Sequence, residues 1–169
     1  DEQMLLNVIS PFLHPILILT DTYPAVVANP PYMGSKNMNA DLKIYINNHY
    51  PMGKADLFAV FMEMMSGKLQ QNGNLGCITM ESWMFLSSYE KLRHHLLDDF
   101  TIKSLSHFGW HIIGIAFGTV AFVIKNAIAD ETNIGVYSHL TIKDIDEETA
   151  SPKEFPQKNN GRFAVIPQT

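Results

Sequence analysis

The sequence predicts an α/β protein, with a sheet covered by helices on both faces. Short, wholly apolar runs at 25–28 and 75–79 are typical of strands buried in a parallel sheet. Between them, residues 56–69 carry apolar side chains at helical spacing. Strands that alternate with helices along a chain form three-layer sheets of this kind.

The N-terminal part is divided by prolines and by one short strand. Residues 1–13 have apolar side chains at helical spacing, and Pro11 and Pro15 are expected to limit that helix. The segment 20–24 is predicted to be a turn. The next run, 25–28, is apolar throughout, so we expect a strand that is buried on both faces.

The middle of the chain is predicted to alternate between helices and strands. Residues 41–48 and 56–69 are predicted helices, and Asp56 stands in the acidic first turn that a helix favours. The polar segment 71–74 is expected to end the second helix, and a buried strand is predicted at 75–79. The apolar stripe of this helix consists of Leu57, Val60, Phe61, Met64 and Met65, and its face of Leu57, Phe61 and Met64 is expected to pack on the sheet.

The next part of the chain is predicted to hold one more helix and three strands. Ser87 and Glu90 have the spacing of a capping box, which predicts a helix that runs to about Leu97. The three predicted strands are 102–107, 116–125 and 134–137.

From Asp144 onward the chain becomes polar and contains prolines. A loop or linker is therefore predicted at 146–160, followed by a short strand or docked tail at 163–166. We divide the chain into a domain of residues 1–143 and a linker or following region of residues 144–169.

Composition and charge exclude several classes of protein. Hydrophobic residues make up 46% of the chain, enough for a sizeable core, and the net charge is -5. The acidic balance argues against a chain that grips nucleic acid by itself, although it does not exclude a DNA enzyme with its basic surface elsewhere. Cys77, the one cysteine, excludes an internal disulfide and a cysteine-rich zinc site, and suits a reducing cytoplasm. No apolar run reaches the ~18 residues of a membrane span.

The motif Asn29-Pro30-Pro31-Tyr32 directly follows a predicted strand. Ligands of open α/β sheets bind beyond the carboxyl ends of the strands. The Asn29 side-chain oxygen and the Pro30 carbonyl offer two acceptors on a stiff backbone, and Tyr32 offers a flat face. This set suits a planar ring with an exocyclic NH2 group. A rigid turn capped by asparagine is the alternative, and the strand and the tyrosine argue against it.

An Asn-Pro-Pro-Tyr motif after a hydrophobic strand is the catalytic motif of amino-group methyltransferases that use S-adenosylmethionine. More closely, the chain resembles the adenine-specific DNA methyltransferases of bacteriophage-exclusion (BREX) systems, relatives of large type II restriction-modification enzymes. The resemblance runs from about Leu19 to Lys125. It is carried by the segments 27–34, 38–39, 54–58, 76–86 and 119–123.

The resemblance implies a fold and partners. The fold would be the catalytic half of a Rossmann-like methyltransferase, mostly parallel, with the strand at 116–125 antiparallel. The methyl donor would be S-adenosylmethionine, with no metal. The partner would be DNA, bound through the full-length protein, and contact with other phage-defence subunits is left open.

The resemblance also implies roles for single residues. Asn29 and Pro30 would hold the adenine amino group, and Tyr32 would stack on the flipped base. Asp56, Leu57 and Phe58 would lie near the cofactor. Trp83 would line the pocket or belong to the core, and the aromatic residue near the last strand would be Phe117 or Trp110.

Two features depart from the family pattern. Pro24 stands where the family usually has an acidic residue, and no glycine-rich cofactor loop is found before Asn29. We therefore expect the second half of a methyltransferase domain, which alone binds S-adenosylmethionine weakly and is inactive. Two alternatives remain open, namely a methyltransferase for protein glutamine amides and a non-catalytic interaction module. The long segment 33–51 favours the DNA enzyme.

The remaining candidates are weaker. His94 and His95 are adjacent on a predicted helix, so they face different ways and do not form a metal pair. Cys77 is predicted to be an inert buried thiol. Three lysines near the motif are candidates for phosphate contacts, or else ordinary solvated surface. They are Lys36, Lys43 and Lys54.

Overall fold

The computed structural model describes residues 2–110, 116–149, 153 and 163–168. In these ranges the strands form one sheet in the order β1-β2-β4-β3-β5-β6. The helices are α1 (Glu2–Thr20), α2 (Ala40–His49), α3 (Leu57–Ser66) and α4 (Glu90–Asp98). The strands are β1 (Tyr23–Ala28), β2 (Leu69–Met80), β3 (Thr101–Phe108), β4 (Thr119–Lys125), β5 (Ile134–Leu140) and β6 (Phe163–Pro167).

Strand directions confirm the α/β sheet with β4 antiparallel. β1 pairs with β2 in parallel and β3 pairs with β5 in parallel, while β4 runs antiparallel to both β2 and β3. β6 is a second reversed strand, because the tail returns along the outer side of β5. The side chain of Gln168 fixes this tail, since its Oε1 accepts a hydrogen bond from the Ile102 N–H at 2.7 Å. The domain boundary at 143/144 stays a prediction. The loop or linker predicted at 146–160 also stays one, because most of these residues lie outside the described ranges.

The prediction that β1 is buried on both faces is wrong in the described structure. Val26 and Ala28 pack against the main core, whereas the Val27 side chain on the other face is 85% exposed. The helices that pack on the main core, α3 and α4, lie on one face of the sheet. The opposite face carries an open groove of about 510 Å³, bordered by small residues such as Gly76, Ser104 and Ala121.

α3 packs on the sheet through a stripe one residue away from the predicted one. Its fully buried core residues are Phe58, Ala59 and Met62. Phe61 and Met64 lie at the margin of that core, and Leu57 joins a second cluster. The helix is covered on a second side, because Val60 packs with Met38 and Ile46. Periodicity finds the apolar arc of such a helix but not its centre.

β2 begins earlier than predicted and passes through the polar segment 71–74. Asn72 adopts a positive φ of 66°, and the register with β1 is irregular here. Gly73 has no side chain to accommodate, and a Cβ there would lie 2.9 Å from the Tyr23 carbonyl oxygen. The Asn126 amide donates to the Leu69 carbonyl at 3.0 Å. This irregularity lets a segment that reads as a turn remain within the strand.

Two expected helix boundaries differ. α1 continues through Pro11 and Pro15, although each proline removes a hydrogen bond and crowds the preceding turn of the helix. The capping box does not form, and residues 87–89 make a 3-10 turn before α4. The Arg93 guanidinium fixes this turn by donating to the Leu86 carbonyl. None of the helices described combines the length and apolarity required to cross a membrane.

Candidate active site

The motif leaves the sheet at the carboxyl edge of the parallel strands, as the sequence predicts. β1 ends at Ala28, which is paired with Cys77 of β2. Asn29 is exposed and borders the open groove, whereas Pro30 is buried. A buried proline after an exposed asparagine gives a rigid backbone with an accessible amide group.

Asp56 holds the segment after the motif. Its Oδ1 accepts hydrogen bonds from the Met33 N–H at 2.9 Å and from the Phe58 N–H at 3.2 Å. The second contact makes Asp56 the N-cap of α3. The Leu57 N–H donates to the Met33 carbonyl at 3.0 Å, and Gly34 pairs with Asp56 in an isolated bridge. The end of the motif is therefore clamped to the start of a core helix.

Tyr32 lies in an aromatic cluster. Its ring meets Phe117 edge to face at a centroid distance of 5.4 Å and Phe58 at 6.0 Å. Phe58 is fully buried and contacts Tyr89 at 5.7 Å. Such pairs contribute roughly 0.5–1.5 kcal/mol beyond the burial of their area. Of the two aromatic residues left open, Phe117 contacts the motif and Trp110 is 60% exposed.

The Tyr32 hydroxyl does not suit proton transfer. It is buried, and among the described residues it has no hydrogen-bond partner. Burial, together with the nearby Cys77 and Asp56, raises the pKa of Tyr32 above its ordinary value. The phenol therefore stays neutral, and the ring is the part of Tyr32 that a ligand can use.

Trp83 belongs to the core of the described chain, and its expected place in the base pocket stays a prediction. The indole is 6% exposed, its N–H donates to the Thr79 hydroxyl at 3.1 Å, and its ring packs against Phe122 at 5.5 Å. It was a candidate because it follows β2 at the sheet edge. The short 3-10 turn at Glu81–Met84 directs it inward instead.

The three residues expected near the cofactor contact the motif and the core in the described chain. One carboxylate oxygen of Asp56 accepts the hydrogen bond from the Met33 N–H. Leu57 packs in an apolar cluster, and Phe58 has no exposed surface. They support the motif from behind, and their expected cofactor role stays a prediction.

Cys77 is buried, as expected, and burial raises the pKa of its thiol from 9.0 to about 12. Because only the thiolate attacks alkylating reagents, we expect native Cys77 to resist iodoacetamide up to about pH 10. The unfolded thiol ionises at lower pH, so this group favours folding below about pH 9 and loses that effect as the pH rises toward 12. Peptide mass spectrometry of native and denatured protein checks the first statement, and rapid native alkylation at pH 8 would contradict it. Denaturant unfolding at several pH values checks the second, and a stability that does not fall between about pH 9 and 11 would contradict it.

Sequence reasoning missed a chain of polar contacts at the same sheet edge. Glu81 is bonded to His107 Nε2, and His107 Nδ1 lies 2.8 Å from His139 Nδ1, with the two rings stacked. The Glu81 carboxylate also fills the space beside Gly118, next to Phe117. Glu81 follows β2, and His107 and His139 lie near the ends of β3 and β5. Their spacing along the chain therefore does not predict that they meet. Within the described ranges, no three histidine, cysteine, aspartate or glutamate side chains are arranged to hold a metal ion.

Residues 7–112 match the model of the Eco57I restriction-modification methylase family. The chain belongs to this family. The match includes the motif, the Asp56 clamp and the whole of α3, and it ends before β4.

Two curated relatives confirm the expected resemblance. The chain is 42% identical over 154 residues to the adenine-specific methyltransferase BrxX of Escherichia coli O9:H4 (strain HS). It is 36% identical over 141 residues to the adenine-specific methyltransferase PglX of Lacticaseibacillus casei (strain Zhang). These alignments cover 89% and 81% of this chain, but only 12% and 11% of the relatives. The chain thus spans about one eighth of the length of the proteins it resembles.

Solved structures confirm the fold. A chain from the type I restriction-modification system matches with a TM-score of 0.64 at 15% identity, over 90% of this chain and 36% of that one. The methyltransferase subunit of such a system from Streptococcus thermophilus matches with 0.54 at 14% identity, over 76% and 28%. A protein from Listeria monocytogenes assigned as a class I S-adenosylmethionine-dependent methyltransferase matches with 0.53 at 12% identity, over 72% and 38%. The architecture is the class I methyltransferase fold.

Proposed function

We propose that this chain is the catalytic part of a protein that transfers a methyl group from S-adenosylmethionine to the exocyclic amino group of adenine in DNA. The observation that carries the proposal is the exposed Asn29 on a clamped motif at the carboxyl edge of the sheet, beside an aromatic cluster. The names of the two curated relatives support adenine as the target. Such a protein would act in the cytoplasm, in restriction-modification or phage defence.

The proposed mechanism assigns hydrogen bonding to Asn29 and Pro30. The Asn29 amide oxygen and the Pro30 carbonyl accept the two amine hydrogens, which favours positive charge on the nitrogen as it turns tetrahedral. When bound, S-adenosylmethionine supplies a methyl group on a sulfonium. Asn29 and Pro30 would hold the amine toward that methyl group, and the proton that the methylated amine must lose would pass to solvent.

The aromatic cluster would hold the base. The amino nitrogen of adenine is paired in a duplex, so the target base must leave the stack before it reacts. Tyr32 is the last residue of the motif, and its edge-to-face contacts with Phe58 and Phe117 hold its ring in place. A base that stacks on an aromatic ring gains about 1–3 kcal/mol, which offsets part of the cost of flipping.

A substrate comparison tests the proposal. The full-length protein is incubated with methyl-labelled S-adenosylmethionine and either duplex DNA or a release-factor protein, the class of substrate in which a glutamine amide is methylated. We expect label in DNA alone. Label in the protein alone would establish the rival amide methyltransferase, and label in neither would favour a non-catalytic module.

Substitution of Tyr32 separates its ring from its hydroxyl. In the full-length protein, Tyr32→Phe should retain methylation and keep or raise the melting temperature, because the hydroxyl is buried without a described partner. Tyr32→Ala should weaken methylation by about tenfold or more, since the stacking face is lost. Methylation rates at several DNA concentrations, with thermal melting of both variants, make the comparison. Equal loss in both variants would refute a role for the ring.

A further inference from the structure

We propose that a cavity beside α2, here called the lysine pocket, binds a phosphate of the DNA backbone next to the target adenine. This inference rests on the proposed function and adds a DNA-binding site to it. The cavity has a volume of about 460 Å³. Its polar rim includes Ser35, Lys43 and Lys54, and its floor is formed by Met38 and Ile46.

The shape and chemistry of the lysine pocket suit a sugar–phosphate strand. Met38 and Ile46 are 4% and 2% exposed, so the floor is a fixed part of the apolar cluster that also includes Val60. An apolar floor accepts a deoxyribose face, while lysine ammonium groups at the rim accept phosphate oxygens. Phosphate contacts of this kind fix the position of a protein on a duplex.

The two lysines form no ion pair in the part of the chain that the structure describes. Among the residues it describes, neither Lys43 nor Lys54 has a carboxylate oxygen within 4.0 Å. Lys43 also lies near the start of α2, where a positive charge opposes the helix dipole. Asp41 in the same turn is exposed and does not line the cavity. The rim therefore presents positive charge without a neutralising partner.

The lysine pocket is joined to the catalytic motif by short hydrogen-bonded steps. Ser35 is three residues after Tyr32, and its N–H donates to the Ala55 carbonyl at 2.9 Å. Ala55 lies between Lys54 and Asp56, the residue that clamps the end of the motif. A nucleotide whose base enters the motif swings about its own backbone. A phosphate beside that nucleotide is thus the part of DNA that this cavity is placed to hold.

Salt dependence of DNA binding tests the inference. In the full-length protein, the double variant Lys43→Gln/Lys54→Gln is compared with Lys103→Gln/Lys125→Gln. The control pair removes the same charge near the start of β3 and the end of β4, where Thr101 pairs with Lys125. This end of the strands is opposite to the carboxyl edge at which the motif leaves the sheet. Dissociation constants are measured between about 50 and 300 mM salt, on either side of the ~0.1 M at which the Debye length is about 10 Å, on duplexes with and without adenine.

The slope of log affinity against log salt is negative, and we expect it to become shallower by about 1 to 2 in the pocket variant on both duplexes. The reason is that each phosphate contact contributes about 0.9 to its magnitude. The control pair should keep the slope of the unmodified protein, and Lys43→Arg/Lys54→Arg should restore it. Thermal melting verifies that all variants fold. An unchanged slope in the pocket variant, or an equal fall in both pairs, would overturn the inference.

Failure of this inference is distinguishable from failure of the proposed function. An unchanged slope in a pocket variant that still methylates DNA would refute the lysine pocket and leave the enzyme intact. An unmodified protein that neither binds nor methylates DNA would refute both.

Discussion

Substitution Asn29→Ala in the full-length protein should lower the rate of DNA methylation by about 10²–10³ while leaving the fold intact. The variant loses an acceptor for the target amine, and acceptors aimed at a charge that develops in the transition state contribute this much to rates. The side chain is exposed at the end of β1, so its loss removes little packing. The measurement is initial-rate methyl incorporation, with thermal melting as the control for folding.

The matched control is Asn48→Ala, since Asn48 is an exposed asparagine on α2 outside the motif. It should methylate at close to the rate of the unmodified protein. A folded Asn29→Ala variant with near-normal activity would show that Asn29 does not accept the amine hydrogens.

Phe58→Ala should lower the free energy of unfolding of the domain by about 3–5 kcal/mol. Phe58 is fully buried between α3 and the sheet, and removal of a large core aromatic costs both transfer free energy and a cavity. Because its ring also contacts Tyr32, methylation should fall even under conditions where the variant remains folded. Denaturant unfolding and methylation at low temperature measure the two effects.

Phe85→Ala provides the comparison, because Phe85 is 61% exposed. An exposed site usually changes stability by less than about 0.5 kcal/mol. If Phe58→Ala costs no more than Phe85→Ala, the aromatic cluster does not support the motif in the way that the structure indicates.

Local patterns predicted the elements that carry the site. The apolar run at 25–28 places Asn29 at the end of a strand, and the helical spacing after Asp56 places α3 behind the motif. Both predictions use only residues that are close in the sequence, because an apolar run indicates a buried strand and apolar side chains at helical spacing indicate an amphipathic helix. The segment 71–74 misled the prediction, since a positive φ at Asn72 keeps the chain within β2.

Contacts between distant residues could not be predicted in the same way. Trp83 has the position of a pocket residue in the sequence, but its hydrogen bond to Thr79 and its contact with Phe122 place it in the core. His107 and His139 meet because β3 and β5 pair in parallel, which depends on the strand order of the whole sheet. Side-chain direction at a strand end is set by such pairings, and neighbouring residues carry no signal of it.

Analysis of the reaction product identifies the atom that the full-length protein methylates. The full-length protein is incubated with S-adenosylmethionine and duplex DNA, the DNA is digested to nucleosides, and the products are separated by mass spectrometry. We expect N6-methyladenine with the unmodified protein and its loss with Asn29→Ala. Methylcytosine as the product, or N6-methyladenine formed equally by both proteins, would contradict the assignment of this motif as the site of methyl transfer to adenine.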